Sequence, residues 1–93
     1  ESSVAFGSVT LGKDSVLANV NNGLSQQGID QRALTNLTFE SVDGNQSTIV
    51  NEEGGQIRID EMTGANNVVR VGDTSADQIT IGKNTSTGLT VTS

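Results

Sequence analysis

The sequence contains no cysteine, histidine, proline, tryptophan or tyrosine. Without cysteine the chain has no disulfide framework and no thiolate metal site. Without histidine it lacks the commonest general base and transition-metal ligand, which excludes serine–histidine and cysteine–histidine catalysis within the chain. Its only aromatic residues are Phe6 and Phe39. We expect both in the core, which leaves no aromatic platform of the kind that sugar sites use.

Basic residues and long apolar runs are also scarce. Five Lys and Arg stand against 11 Asp and Glu, for a net charge of -6. The cations are scattered along the chain, and a negative protein repels a phosphate backbone, so we expect no nucleic-acid partner. No apolar run approaches the roughly 18 residues of a membrane span. The start, Glu1-Ser2-Ser3, resembles neither a secretory signal nor an initiator methionine, so we expect a processed product or a piece of a longer chain.

What the chain does contain is typical of short strands joined by polar turns. Valine, isoleucine and threonine are abundant, and glycine, asparagine, serine and aspartate fill the remainder. The first group favours strands and the second favours tight turns. The sequence therefore predicts an all-β fold, in one domain that spans 1–93.

A tetrapeptide of the form apolar, any residue, apolar, then glycine or a polar residue recurs along the chain. Such alternation is typical of a half-buried strand. From Ile57 onward the repeats start at 57, 69, 79 and 89, which predicts a repeated unit of short strands at roughly ten-residue spacing. The repeats are Val4-Ala5-Phe6-Gly7, Val9-Thr10-Leu11-Gly12, Ile57-Arg58-Ile59-Asp60, Val69-Arg70-Val71-Gly72, Ile79-Thr80-Ile81-Gly82 and Leu89-Thr90-Val91-Thr92.

Turn signals divide the chain into three parts: N-terminal strands at 1–13, a connection at 14–36, and repeated short strands at 37–93. Asp43-Gly44 predicts a two-residue hairpin between strands at 37–42 and 46–50. The connection carries Gly23 and Gly28, which weaken any helix. We therefore favour an irregular connection with one short helix near 30–36. A short trimeric coiled coil from Leu17 to Leu34 is the alternative.

The apolar content predicts self-association. Only 32% of the residues are hydrophobic, against roughly 45–50% in an average globular domain. Each strand offers two or three inward apolar side chains, too few for a deep core in one protomer. We therefore expect an intertwined or β-helical homotrimer that shares one narrow apolar axis.

The later repeats resemble the shaft repeats of tailed-bacteriophage fibre proteins. The residues that carry this resemblance are Val69-Arg70-Val71-Gly72-Asp73-Thr74-Ser75-Ala76-Asp77-Gln78 and Ile79-Thr80-Ile81-Gly82-Lys83-Asn84-Thr85-Ser86-Thr87-Gly88. The resemblance covers 57–93 best and implies a trimeric, β-rich fibre. The pair of repeats from Val4 to Gly12 is also similar to head repeats of trimeric autotransporter adhesins, but it occurs only once.

Three groups of residues are candidate sites, and a structural interpretation is favoured for each. The acidic cluster Glu52, Glu53, Asp60 and Glu61 could hydrolyse glycosides, but it is typical of a solvated turn. Asp73, Asp77, Asn66 and Asn67 could supply oxygen ligands to calcium, but they match turn chemistry better. Arg58 and Arg70 face away from the apolar side, and we expect them to pair with acids of a neighbouring strand or chain.

The sequence thus predicts a non-enzymatic structural protein with no catalytic residue, cofactor or metal. The first hypothesis is a segment or subunit of a trimeric phage fibre, located in a tail or head fibre of the virion and partnered by itself and other virion proteins. The alternatives are a capsid decoration or cement protein and a trimeric adhesin repeat on a bacterial cell surface.

Overall fold

A computed structural model describes residues 2–20, 25–26, 29–30, 35–52, 55–75 and 77–93. This part of the chain contains ten strands and no helix, which confirms the all-β prediction. The strands are β1 (Ser2–Leu11), β2 (Val16–Val20), β3 (Ser25–Gln26), β4 (Ile29–Asp30), β5 (Thr35–Asn45), β6 (Thr48–Glu52), β7 (Gln56–Ala65), β8 (Val68–Arg70), β9 (Gln78–Asn84) and β10 (Thr90–Thr92).

Eight of these strands form two four-stranded sheets, in which every pair of neighbours is parallel. Sheet A has the order β1-β5-β7-β9, and sheet B has the order β2-β6-β8-β10. Strands β3 and β4 pair with each other, antiparallel. The chain passes from sheet A to sheet B and back again, so each strand of one sheet is the crossover that parallel strands of the other require. A coil is defined here as one strand of sheet A together with the strand of sheet B that follows it along the chain.

The strand register aligns similar side chains on top of one another in successive coils. Phe39 pairs with Phe6 on one side and with Ile59, 20 residues later, on the other. Ile59 pairs in turn with Ile81. In sheet B the equivalent column is Leu17, Ile49, Val69 and Val91. One coil contains about two of the predicted repeats. The ten-residue spacing therefore separates a strand of one sheet from the next strand in the other sheet, and hydrogen-bonded neighbours are one whole coil apart.

Sheet A bends at the same place in every coil. The ladder of paired residues omits Gly7, Glu40, Asp60 and Gly82, which lie at one level of the stack. In β7 the buried positions are Ile57 and Ile59 before the bend and Met62 after it, so the alternation slips by one residue. The bend turns the second half of each strand so that both halves bury apolar side chains against one core.

The core lies in the two middle coils. Its fully buried apolar residues are Phe39, Val42, Ile49, Ile57, Ile59, Met62 and Val69, all of them on β5 to β8. Among the described residues, the large apolar side chains that remain exposed are those of Val4, Phe6, Val16 and Val91, all on the first or last coil. A single chain therefore buries a core of its own, and these exposed apolar side chains lie at the two ends of the stack.

The predicted hairpin at Asp43-Gly44 is wrong. Strand β5 continues through both residues to Asn45, and β6 lies in the other sheet. Gly44 pairs with Gly64 of the next coil, and its absent side chain leaves room for Asn67. The turn comes two residues later, at Gln46, whose φ is 50°. Stacking in the sheet therefore prevails over the local turn preference of the dipeptide.

The predicted connection at 14–36 is only partly correct. Strand β2 lies inside it and pairs with β6 from Val16 to Val20, so this stretch is the sheet B half of the first coil. Leu17, the first residue of the alternative coiled coil, is on that strand. The short helix expected near 30–36 falls mainly on 31–34, which lie outside the described residues.

Candidate functional site

Two inner corners of the stack hold buried polar side chains, and these are the most unusual chemical feature of the fold. The corner that follows sheet B contains Asn19 and Asn51, which are 4% and 0% exposed. The Asn19 Nδ2 donates to the Asn51 Oδ1 over 3.1 Å, so the two amides form a ladder between coils. A buried amide is tolerated only where its donors and acceptors find partners.

Asn51 binds backbone of its own coil and of the next one. Its Nδ2 lies 2.6 Å from the carbonyl oxygen of Gly55 and 3.1 Å from that of Val71. The carboxylate of Asp77 lies 3.4 Å from the same nitrogen. The side chain thus holds together the end of β6 and the segments that lead into β7 and away from β8.

Asp77 closes the loop between β8 and β9. Its Oδ2 accepts hydrogen bonds from the backbone N–H and the hydroxyl of Thr74, each over 2.8 Å. Asp77 is 7% exposed, and both Thr74 and Asn51 bind its carboxylate within this corner. The carboxylate therefore caps the loop through a hydrogen bond back to the backbone three residues earlier.

The opposite corner, between sheets A and B, is held by Asn67. Its Oδ1 accepts from the backbone N–H of Ser47 over 3.1 Å and from the Ser47 hydroxyl over 2.7 Å. Its Nδ2 donates to the carbonyl oxygen of Gly44 over 3.1 Å. Both Asn67 and Ser47 are 1% exposed, so this corner is as closely packed as the apolar core beside it.

Beside that corner, the backbone turns through a left-handed residue in every coil. At this turn the residues with positive φ are Asp14, Gln46, Asn66 and Gly88, one in each coil. The N–H of Asp14 donates to the Gln46 carbonyl, and the N–H of Asn66 donates to the Thr87 carbonyl, over 3.1 and 2.8 Å. The turn conformation is therefore part of the coil-to-coil hydrogen bonding.

One surface cavity of about 340 Å³ opens beside the asparagine ladder. Glu52 and Arg70 bring opposite charges to it, and its inner wall is formed by Asn51 and Asp77. The complete lining is Val50, Asn51, Glu52, Arg70, Gly72, Asp73, Thr74, Asp77 and Ser93. Because Asn51 and Asp77 are already hydrogen-bonded within the corner, the charged groups that the cavity offers to a ligand are mainly Glu52 and Arg70.

The structure does not bring the acidic cluster together. Glu52 is at the end of β6 in sheet B, whereas Asp60 and Glu61 are at the bend of sheet A. The fourth member, Glu53, lies outside the described residues. Asp60 accepts from the Arg58 Nε over 2.9 Å, and Glu61 lies 4.0 Å from the Nζ of Lys83. The described carboxylates therefore do not form the facing pair that glycoside hydrolysis needs.

The candidate calcium ligands are also separated. Asn66 and Asn67 precede β8, whereas Asp73 and Asp77 follow it. Asn67 and Asp77 are engaged in the corners just described, and Asn66 is exposed at a left-handed turn. Within the described residues no group of three or more acidic, histidine or cysteine side chains is placed to hold a metal ion.

Arg58 and Arg70 are both exposed, as expected. Arg58 pairs with Asp60, two residues along its own strand, which the sequence did not predict. Pairing with an acid of a neighbouring chain stays a prediction. Arg70 lines the cavity near Glu52. The two phenylalanines stack with their ring centroids 5.0 Å apart. Phe39 is buried, as predicted, whereas Phe6 on the first coil is 43% exposed.

Sequence reasoning missed the two asparagines that form the ladder. The signal was present: Leu17-Ala18-Asn19 and Ile49-Val50-Asn51 both place an asparagine two residues after an inward apolar residue. In a strand that spacing puts the amide on the buried face. Recognising it required knowing that these two segments are neighbours, which the tetrapeptide repeats do not reveal.

No family model, curated protein or solved structure matches the chain. Among the described residues, no helix is long and apolar enough to span a membrane.

Proposed function

We propose that the chain is a non-enzymatic structural protein, a β-solenoid segment of a fibre on a virion of the tailed-bacteriophage type. The observation that carries the proposal is the use of the buried polar side chains. Asn19, Asn51 and Asn67 bind backbone and side chains of adjacent coils. The described polar groups therefore hold the stack together and do not converge on a reacting centre.

Such a stack has mechanical properties suited to a shaft. Each coil is joined to the next by parallel ladders in both sheets and by hydrogen bonds at the corners. Side chains of equal shape lie on each other along the stack, as Phe6 does on Phe39. A quasi-one-dimensional stack is stiff because every unit is bound by both neighbours. The net charge of -6 keeps its outer surface soluble.

The homotrimer stays a prediction, and one of its supports is now weaker. From its sequence, one protomer was expected to have too few apolar residues for a deep core. Seven apolar residues of the single chain are fully buried, so a shared axis is not required to bury them. The partners we propose are copies of the chain and other virion proteins, with the bacterial cell surface as the alternative location.

Immunogold electron microscopy tests this function directly. Antibodies raised against the folded chain would be applied to producing cells and to the particles that they release. We expect label along fibres of released particles. Label spread over capsids would favour the decoration protein, and label on the cell surface would favour the adhesin. Label confined to the cell interior would contradict all three structural roles.

A further inference from the structure

In the described part of the chain, the terminal strands of both sheets have a neighbour on one side only. The first coil, β1 with β2, is one edge of each sheet, and the last coil, β9 with β10, is the other. An edge strand presents unpaired backbone groups, and proteins commonly block such edges with charge, proline or a bulge. The chain contains no proline.

Charge is almost absent from these edges. Strands β1, β2 and β10 contain no charged residue, and β9 contains only Lys83. The middle strands are different, because β5 to β8 carry seven charged residues: Glu40, Asp43, Glu52, Arg58, Asp60, Glu61 and Arg70. In a chain of net charge -6, the two ends of the stack are thus the least charged strands.

The ends also expose apolar side chains that belong to the interior columns. Phe6 is 43% and Val91 is 61% exposed, although their register partners Phe39 and Val69 are buried. Among the described residues, no further coil covers these side chains.

The two ends match each other in register. If the pairing pattern continues past the last coil, Ile81 meets Phe6 of a second copy in sheet A, and Val91 meets Leu17 in sheet B. Both pairs are apolar on apolar, as in the columns within the chain. The bend matches too, since Gly82 would lie on Gly7, and both occupy the level that the ladder omits.

The first and second coils differ in length by one residue, and the fold already accommodates this difference. From sheet A to sheet B, the first coil is one residue longer than the second. Phe6 pairs with Phe39 across 33 residues, whereas Leu17 pairs with Ile49 across 32. The first coil nevertheless stacks in register on the second in both sheets. The opposite side of the first coil can therefore pair with a coil that is one residue shorter, such as the last coil of a second copy.

We propose that the chain assembles head to tail, the last coil of one copy stacking on the first coil of the next as one continuous pair of sheets. The occupant of each end is thus a second copy of this chain, and the interface continues the coil-on-coil contact that the fold already makes. This inference rests on the proposed structural function and names its partner. A heterologous contact of this kind does not close on itself, so the product is a filament that grows with concentration.

Two matched variants test the head-to-tail register. In the proposed junction the exposed residue Thr80 of one copy lies beside the exposed Ala5 of the next. The first variant combines Thr80→Glu with Ala5→Glu, which places like charges together at every junction. The second combines Thr80→Glu with Ala5→Lys, which places opposite charges there. Within one copy Thr80 neighbours Arg58, so the shared Thr80→Glu substitution adds no like-charge contact.

The measurement is sedimentation velocity over a roughly thousandfold range of protein concentration, after circular dichroism has shown equal strand content. We expect the mass of the natural chain and of the Glu/Lys variant to rise continuously with concentration. The Glu/Glu variant should need roughly tenfold more protein for the same mass at low salt, and the difference should shrink at high salt.

Several results would overturn the proposal. These are a mass that stays at one copy or stops at three, or equal assembly by both variants. Head-to-head contact would also give equal assembly of the two variants, because it does not bring Thr80 and Ala5 together. If the chain is monomeric but antibodies against it label virion fibres, only the head-to-tail assembly is contradicted. If the chain forms filaments but no particle or cell surface is labelled, the proposed function is contradicted.

Discussion

At the scale of single residues, Asn51 has the most demanding position in the chain. It is fully buried, accepts from Asn19 and donates to the carbonyl oxygens of Gly55 and Val71. Removing its amide breaks these three hydrogen bonds in a buried corner, and each contributes about 0.5–1.5 kcal/mol. The stability of the stack therefore depends on polar contacts as well as on its modest apolar core.

We predict that Asn51→Ala lowers the free energy of unfolding by about 2–4 kcal/mol. Urea unfolding, followed by circular dichroism, measures this change. Asn45→Ala is the matched control, because Asn45 is exposed at the end of β5, and it should remain within about 0.5 kcal/mol of the natural chain. Equal losses in the two variants would mean that the buried ladder contributes nothing specific.

Gly64 illustrates a different constraint, that of close backbone approach. Its φ is 102°, and an added Cβ would lie 1.8 Å from the carbonyl oxygen of Gly44. No side-chain movement relieves a clash with backbone. Gly7 also lies in sheet A, but an added Cβ there meets only the end of Glu40 at 3.8 Å.

We predict that Gly64→Ala destabilises the fold by at least about 2 kcal/mol, because both the conformation and the contact oppose it. Gly7→Ala should change stability by less than about 1 kcal/mol, since an alanine fits there and restricts the unfolded chain. Thermal unfolding of both variants at one protein concentration makes the comparison. A Gly64→Ala variant as stable as the Gly7→Ala variant would show that the two coils can separate at this point.

At the scale of strands, burial falls from the middle of the stack to its ends. Strands β5 and β7 have neighbours on both sides in sheet A, whereas β1 and β9 have one each. Backbone groups at an edge open without breaking the core. Stability should therefore be graded along the stack and not uniform.

Hydrogen exchange read by mass spectrometry should show this gradient. At low protein concentration, we predict that amides of β5 and β7 exchange at least about tenfold more slowly than those of β1 and β10. Peptides from β6 and β8 serve as the internal comparison in sheet B. Uniform protection across all strands would mean that the fold opens only as a whole.

The strands themselves could be predicted from the sequence, but their arrangement could not. Alternation at Ile57-Arg58-Ile59 and Ile79-Thr80-Ile81 located β7 and β9 correctly. Alternation reports which face of a strand is buried, but not which strand is its neighbour. The spacing of about ten residues therefore concealed the fact that consecutive strands lie in different sheets.

The errors at Asp43-Gly44 and at 14–36 have a common physical reason. Local turn and helix preferences are worth about 1 kcal/mol or less per residue, and stacking of whole coils outweighs them. Gly44 is needed opposite Gly64, so a dipeptide typical of a hairpin lies within a continuous strand. Likewise Val16–Val20 joins sheet B because Ile49 offers Leu17 an apolar partner. The buried amides escaped detection because their role appears only after the register is known.

At the scale of the whole molecule, the register implies that the stack can be lengthened. Phe39 and Ile59 occupy the same place in successive coils, 20 residues apart. A second copy of residues 36–55, inserted between Gly55 and Gln56, has that length. Its Asn51 would extend the amide ladder, and its Phe39 would stack on Phe39 as Phe6 does now. The insert repeats the acidic residues Glu40, Asp43, Glu52 and Glu53. The substitutions Glu40→Gly, Asp43→Thr, Glu52→Gln and Glu53→Gln in the insert avoid like charges in successive coils.

We predict that this five-coil chain folds cooperatively and is more stable than the natural one, because each added coil contributes a new interface with its neighbour. The urea m-value should rise by roughly a quarter, in proportion to the added buried surface. The matched control carries a scrambled insert of the same composition, which should lower the unfolding midpoint. A ten-residue insert is the sharper test, since half a coil would send every later strand to the wrong sheet. If that insert were tolerated as well as the full coil, stacking in register could not be what determines the fold.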